Sequence, residues 1–198
     1  MAQNNSTKPG LLIVLVGPSG VGKSTISRSL AERMHLKYIA SATTRKKTEQ
    51  DLEGKAYDYV DEETFVKKLE NGEFLEYAAV WDEYYGTPKH PTLDYLANGE
   101  DVLLEIDVQG AMQVRFQYPD ALMIFIMPPD EKSLLQRLKE RGRETDQQME
   151  KRFRGAKREI WMAKGSRAFD DMVINDSVDR AVEEISRLIR HKKSPGGF

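Results

Sequence analysis

Hydrophobic residues along the chain occur in short uniform runs that alternate with segments of four-residue spacing. The run Leu11–Val16 is entirely apolar and rich in branched side chains, which is typical of a strand covered on both faces of a parallel sheet. After a glycine-rich turn, Ile26, Leu30 and Met34 recur every four residues and predict an amphipathic helix. A short strand is predicted next, at residues 37–40.

The same alternation returns in the second half of the chain. Apolar strands are predicted at residues 101–107, 121–126 and 172–174. Pro128-Pro129-Asp130 predicts the start of a helix, and a closing helix is expected after residue 177. Strands that alternate with helices predict an α/β fold with a parallel sheet flanked by helices.

Two segments differ from this pattern. Residues 41–95 are polar, tyrosine-rich and interrupted, with a short helix predicted near 62–69 and a strand near 74–77, which indicates an inserted subdomain. Residues 137–154 are dense in arginine and lysine around Gly142, and a solvated helix surface is the ordinary interpretation of such a run. The termini, 1–10 and 192–198, are predicted to be flexible.

Composition narrows the functional classes. The chain has 198 residues and a formal net charge of −2, so its overall charge favours neither nucleic acid nor a membrane surface as a partner. The absence of cysteine excludes disulfides, thiolate nucleophiles and cysteine-ligated zinc, and is compatible with a cytoplasmic location. No apolar run approaches the ~20 residues of a membrane-spanning helix. A homo-oligomer is left open.

A phosphate-binding motif follows the first predicted strand. Gly17–Ser24 matches G-x-x-x-x-G-K-[ST], between a strand and a helix as the motif requires. Glycines let backbone N–H groups converge on phosphate oxygens, Lys23 would contact the β- and γ-phosphates, and the Ser24 hydroxyl would ligate Mg²⁺. The predicted ATP-binding positions here are Gly17, Pro18, Ser19, Gly20, Val21, Gly22, Lys23, Ser24 and Thr25.

Four further blocks follow this motif in a fixed order. They are Ser41–Arg45, Gly72–Glu76, Tyr84–Pro88 and Leu104–Gly110. Together with the phosphate motif they closely resemble the guanylate kinase family, over about Leu11 to Ile189. The resemblance implies a P-loop NTPase-type parallel sheet flanked by helices, formed by residues 11–40, 96–136 and 154–191. It also implies a GMP-binding subdomain at 41–95, a short lid at 137–153, and transfer of phosphate from ATP to GMP with Mg²⁺ as cofactor.

The resemblance assigns the acceptor site residue by residue. Glu76 would accept from the guanine N1–H and the 2-amino group, a pairing that suits guanine and not adenine. The other residues that match positions facing the base are Ser41, Thr87 and Asp107. Those that match positions holding the monophosphate are Arg45, Tyr57 and Tyr85.

The resemblance also assigns groups for the donor site and for catalysis. By resemblance, Asn175 matches a position near the adenine. Independently of the resemblance, Glu105 leaves the strand at 102–104 at the carboxyl edge of the predicted sheet, where α/β proteins bind ligands, and is a candidate for holding Mg²⁺ through water beside Ser24. Capping of a neighbouring helix is an alternative role for Asn175 and for acidic residues at strand ends. The predicted catalytic residues are Lys23, Arg45, Arg137, Arg141 and Arg152, the last three from the basic segment.

One position departs from the family pattern. A second arginine usually follows the first by three residues, and this chain has Thr48 there, beside Lys46 and Lys47. An ammonium does not reproduce the bidentate fork of a guanidinium, so we expect weaker GMP binding than is usual or a shifted acceptor preference.

Two other functions remain open from the sequence. One is a P-loop kinase with another small acceptor, which a comparison of GMP, dGMP, AMP, CMP and UMP would distinguish. The other is a non-catalytic scaffold with a guanylate-kinase-like fold, against which the intact Lys23 and Ser24 argue.

Overall fold

The computed structural model describes residues 8–48, 57–80, 82–140 and 146–194. Its elements, in chain order, are β1 (Leu12–Val16), α1 (Lys23–Met34), β2 (Lys37–Tyr38), β3 (Ser41–Thr43), β4 (Tyr57–Tyr59), α2 (Glu62–Glu70), β5 (Phe74–Val80), β6 (Glu83–Pro88), α3 (Lys89–Ala97), β7 (Val102–Glu105), α4 (Val108–Gln117), β8 (Leu122–Met127), α5 (Glu131–Glu140), α6 (Asp146–Gly165), β9 (Asp171–Ile174) and α7 (Val178–Lys193).

The first sheet is parallel throughout and has the strand order β2-β7-β1-β8-β9. Every residue of the central strand β1 is buried. Val14 and Val16 pack into an apolar cluster on one face, and Ile13 and Leu15 into a second cluster on the other face, with α1 and α7. The sequence prediction of an α/β fold with a parallel sheet flanked by helices is therefore confirmed.

A second sheet lies between β2 and β7 in the chain, with the order β4-β3-β6-β5. The hairpin β5–β6 is antiparallel, and α2 packs on this sheet through Phe65, whose ring stacks on Phe74 and Tyr84. Sequence reasoning had predicted α2 and the start of β5, but neither β6 nor α3. Strand β5 is at the edge of the sheet and packs against α4 of the first sheet's layer.

Helix starts follow local sequence signals. Asp61 accepts a 2.7 Å hydrogen bond from the Thr64 N–H at the start of α2. Asp130, after two prolines, accepts from the Ser133 N–H at 2.7 Å, and α5 begins at the next residue, as predicted. None of the helices in the described part of the chain is both long enough and apolar enough to cross a membrane.

Candidate active site

The phosphate motif forms the turn between β1 and α1, at the carboxyl edge of the first sheet. Gly20 and Gly22 have φ values of 83° and 98°, a left-handed region that glycine adopts without strain. The Lys23 ammonium donates to the carbonyl oxygens of Gly17 at 2.5 Å and Pro18 at 3.2 Å. The phosphate loop therefore surrounds the Lys23 ammonium, and the N-terminus of α1 faces the space that the loop encloses.

Two side chains donate hydrogen bonds to a backbone carbonyl of this loop. Asn175 Nδ2 donates to the Val21 carbonyl at 2.7 Å, and Arg137 donates to the carbonyls of Val21 at 3.2 Å and Asn175 at 2.9 Å. Asn175 is only 2% exposed. The structure thus places Asn175 in the wall of the loop; the helix-cap position of α7 is taken by Ser177, whose side chain makes no capping hydrogen bond.

A hydroxyl and a carboxylate meet beside the loop. Ser24 Oγ donates to Glu105 Oε1 at 2.7 Å, and the Tyr38 hydroxyl lies 3.4 Å from Glu105 Oε2. Oxygen ligands of this kind suit Mg²⁺, which usually takes one or two protein ligands and completes its shell with phosphates and water. Among the described residues there is no cluster of three or more His, Cys, Asp or Glu that could hold a metal by itself. The pair Ser24–Glu105 fits the predicted ion.

A buried carboxylate lies on β5. Glu76 is 4% exposed, and its Oε1 accepts from the Thr87 backbone N–H at 3.1 Å and from the Thr87 hydroxyl at 2.5 Å. Burial raises the pKa of Glu76 to about 7, against the lowering effect of Thr87. Its Oε2 lies over Gly110, where an added Cβ would be 2.8 Å from the Glu76 carboxyl carbon.

A second carboxylate approaches Glu76 from the first sheet's layer. Asp107 caps α4 through Oδ1, which accepts from the Gly110 N–H at 2.8 Å, and Oδ2 accepts from Gln109 at 3.2 Å. Burial raises the pKa of Asp107, while these hydrogen bonds and the Lys23 charge oppose the shift. The carboxyl groups of Glu76 and Asp107 therefore lie close together over Gly110. Asp107 is also within electrostatic range of Lys23 in the phosphate loop.

The predicted base-facing hydroxyl Ser41 lies in the same part of the second sheet. Ala42 pairs with Gly86, and the next position on β6 is Thr87, which itself pairs with Glu76 on β5. Ser41, at the start of β3, is buried. The structure thus brings together all four residues that were predicted to face a base.

A guanidinium surrounded by phenols follows β3. The Arg45 guanidinium lies 5.3 Å from the ring centre of Tyr57 and donates to the Tyr59 hydroxyl at 3.1 Å. The ring of Tyr85 packs edge-on to that of Tyr57, with 5.7 Å between centroids. Burial raises the pKa of Tyr57 and Tyr85, so both phenols stay neutral donors. Arg45, Tyr57 and Tyr85, which match monophosphate-holding positions by resemblance, lie next to one another; Tyr59 was not predicted.

The basic segment is described only in part. Arg137 lies on α5 and Arg152 on α6, both partly buried, whereas Arg141 falls outside the described residues. Thr48 is exposed, three residues beyond Arg45.

One acidic residue near the site was missed by sequence reasoning. Glu159 lies on α6 and is half-buried. Burial raises its pKa to about 7, with the Lys23 charge opposing and the Asp107 charge adding to the shift. The available signal was an acid within the apolar positions Ala156, Ile160 and Ala163 of one helix face.

Comparison with known proteins identifies the family. The guanylate kinase family model matches residues 10–192. The chain is 46% identical over 188 residues to the guanylate kinase of Caldanaerobacter subterraneus, covering 94% of this chain and 89% of the relative. It is 43% identical over 188 residues to that of Clostridium acetobutylicum, covering 94% and 88%. The crystal structure of guanylate kinase from Anaplasma phagocytophilum superposes with a TM-score of 0.80 at 30% identity, covering 96% of this chain and 89% of that one.

The fold and the phosphate loop thus define a P-loop nucleotide kinase. The chain belongs to the guanylate kinase family.

Proposed function

We propose that this protein transfers the γ-phosphoryl group of ATP to GMP, forming ADP and GDP. The observation that carries this proposal is the meeting of Glu76 and Asp107 above Gly110, one carboxylate from each sheet's layer. Guanine presents adjacent N1–H and 2-amino donors, for which two carboxylates are complementary acceptors, whereas adenine presents an acceptor at N1. Glu76 Oε1 is already held by Thr87, so Oε2, which lies over Gly110, is proposed as the oxygen that accepts from the base.

The phosphate of GMP is proposed to bind between the second sheet and the phosphate loop. Arg45, Tyr57 and Tyr85 supply one fixed charge and two neutral phenol donors, which suit a phosphate dianion. The Lys23 charge opposes the raised pKa of Asp107, so the phosphate loop and the base pocket lie within electrostatic range of each other. A related acceptor such as dGMP would meet the same base contacts.

The transfer itself requires no protein base. An oxygen of the GMP phosphate attacks the γ-phosphorus of ATP, a new P–O bond forms, and the bond to the β-phosphate oxygen breaks in line with it. Lys23, Arg137, Arg141 and Arg152 are proposed to stabilise the charge that spreads over the transferred group. Ser24 and Glu105 would hold Mg²⁺, which neutralises phosphate charge when bound.

Each part of the chain is proposed to have its own role, with the boundaries predicted from the sequence. Residues 41–95 are proposed as the GMP-binding subdomain and 137–153 as a lid over ATP, with the remaining core carrying the phosphate loop. A lid that excludes water would limit hydrolysis of ATP in the absence of GMP.

A coupled assay of ADP release tests the function. Wild type is expected to turn over with GMP and dGMP and not with AMP, CMP or UMP. Lys23→Ala should lose activity by about a thousandfold, the scale seen when a transition-state charge is removed. Lys67→Ala, an exposed lysine paired with Glu63 on α2, is the matched control. A wild type without GMP-dependent turnover would contradict the proposal and favour a non-catalytic scaffold.

A further inference from the structure

Three glutamines join the two layers that meet at the base pocket. Gln109, Gln113 and Gln117 recur at four-residue spacing on α4 and so lie on one face of that helix. We refer to them as the glutamine rail. Each one bonds the backbone of the edge strand β5, and the phosphoryl-transfer mechanism uses none of them.

The contacts of the rail are regular. Gln109 donates to the Ala79 carbonyl at 3.1 Å, and Gln117 donates to the Leu75 carbonyl at 3.2 Å. Gln113 accepts from the Tyr77 N–H at 3.2 Å and donates to the Tyr77 carbonyl at 2.6 Å. The rail therefore contacts alternate residues of β5, those whose backbone groups point away from β6.

An amide side chain is suited to this task. The edge of a sheet leaves a row of unpaired N–H and C=O groups, and a glutamine amide carries one acceptor and two donor hydrogens, like a peptide group. Gln113 thus takes the place of a neighbouring strand at Tyr77. Satisfying an edge strand is by itself a structural role, so a functional role needs a link to the pocket.

Gln109 provides that link. Its Nε2 lies within hydrogen-bonding distance of both Ala79 O and Asp107 Oδ2, so one amide connects β5 to the carboxylate that caps α4. Glu76 lies on β5 between the rail contacts at Leu75 and Tyr77. The distance between the two carboxylates above Gly110 is therefore set by how β5 rests on the rail.

We propose that the glutamine rail is a positioning device that fixes Glu76 and Asp107 at the spacing that guanine requires, and that it thereby determines base specificity. This inference rests on the proposed function, because it assigns both carboxylates to the base. It predicts an effect on the acceptor side, since the rail bonds β5 and Asp107, which form the base pocket.

The test compares GMP with IMP, which lacks the 2-amino donor. In Gln113→Met and in the double variant Gln109→Met/Gln113→Met, the side chains keep their length but lose their amides. We expect the KM for GMP to rise about tenfold and the preference for GMP over IMP to fall at least about fivefold, while the KM for ATP and the kcat at saturating GMP stay within about twofold of wild type. Gln136→Met, an exposed glutamine bonded to Glu140 on α5, is the matched control.

A second measurement reads the rail without catalysis. Hydrogen exchange of the Tyr77 amide should be slow in wild type and fast in Gln113→Met, because this N–H bonds Gln113. If Gln113→Met folds poorly in a thermal melt, Gln109→Met alone gives the decisive kinetics, since its side chain is exposed. The proposal is overturned if folded variants keep the wild-type preference for GMP over IMP. It is also overturned if the KM for ATP rises as much as the KM for GMP. A wild type without GMP-dependent turnover would overturn the proposed function, and the inference would fall with it.

Discussion

The Ser24 hydroxyl donates a 2.7 Å hydrogen bond to Glu105 Oε1, although the two residues lie 81 positions apart in the chain. The parallel pairing of β1 with β7 explains the contact. Leu15 pairs with Glu105, so the end of β7 reaches the level at which β1 enters the phosphate loop. The carboxyl edge of a parallel sheet is where α/β proteins bind their ligands.

This relationship predicts a magnesium defect in Glu105→Gln. The amide still accepts from Ser24 but carries no charge, so we expect the Mg²⁺ concentration for half-maximal activity to rise about fivefold, with kcat recovered at high Mg²⁺. Glu100→Gln, at an exposed carboxylate paired with Lys37, should behave as wild type. A Mg²⁺ titration that does not differ from wild type would remove Glu105 from the ion's surroundings.

Burial of Glu76 predicts that GMP binding depends on pH. The carboxylate must be ionised to accept two guanine donors, and its pKa is raised to about 7 in the free protein. Lowering the pH through 7 protonates Glu76, so the Kd for GMP should rise about tenfold for each further unit.

Calorimetric titration between pH 6 and 8 measures this effect. Glu76→Gln is the reference, because its amide has no such ionisation, whereas the phosphate of GMP titrates equally in both experiments. If the two proteins have parallel pH profiles, Glu76 does not contact the base in its ionised form.

How far the sequence could predict the site depends on whether each contact is local. The phosphate loop is contiguous, and the uniform burial of β1 is visible as an unbroken apolar run, so both were predicted from residue pattern alone. Glu76 and Asp107 carry no such local signal. Only the resemblance to a family indicated that they share a pocket, and the structure brings them together through packing of β5 on α4.

Other features escaped because their partners are far apart in the chain. Asn175 and Arg137 brace the Val21 carbonyl from 154 and 116 positions away, respectively, and neither contact follows from periodicity. The rail was also missed. From the sequence alone, the glutamines of α4 are interpreted as exposed surface residues, because that helix is only weakly amphipathic. Their role is visible only once the structure shows that they bond the edge strand β5. Tyr59, which bonds Arg45 from 14 positions away, was overlooked for the same reason, whereas Glu159 did carry a local signal in the apolar helix face around it.

Glu159 predicts a charge effect on ATP binding. Its pKa is raised to about 7, mainly by burial, and Lys23 is the cation that opposes this shift. Above pH 7 the ionised carboxylate offsets part of the Lys23 charge, so Glu159→Gln should lower the Kd for ATP about threefold at pH 8 and leave it nearly unchanged at pH 6. Glu150→Gln, at an exposed glutamate paired with Arg154 on the same helix, is the control. Equal effects at both pH values would contradict this role.

Replacing Thr48 with arginine is predicted to strengthen GMP binding. Thr48 is exposed, three residues beyond Arg45, where the family usually has a second arginine. A restored guanidinium would add a charge-assisted contact with the GMP phosphate, so Thr48→Arg should lower the KM for GMP about tenfold without changing the KM for ATP. Gln136→Arg, at an exposed glutamine on α5, adds the same charge outside residues 41–95 and is the control. No change in Thr48→Arg would mean that a neighbouring cation already serves this phosphate.

Replacing Gly110 is predicted to impair the acceptor pocket selectively. This residue lies inside α4 and has no left-handed φ, so alanine there would favour the helix itself. The added Cβ, however, would collide with Glu76 Oε2 and lie 2.8 Å from its carboxyl carbon. Because Glu76 Oε1 is held by Thr87, the carboxylate cannot turn away without breaking those hydrogen bonds.

We therefore expect Gly110→Ala to raise the KM for GMP at least about tenfold, with the KM for ATP unchanged and the melting temperature within a few degrees of wild type. Gly165→Ala, at the end of α6, is the matched control, since no atom lies within 4 Å of its added Cβ. Steady-state kinetics with each substrate varied separately give both KM values. If Gly110→Ala binds GMP normally, Glu76 must hold the base in another position than the one seen above Gly110, and the two-carboxylate pocket would be wrong.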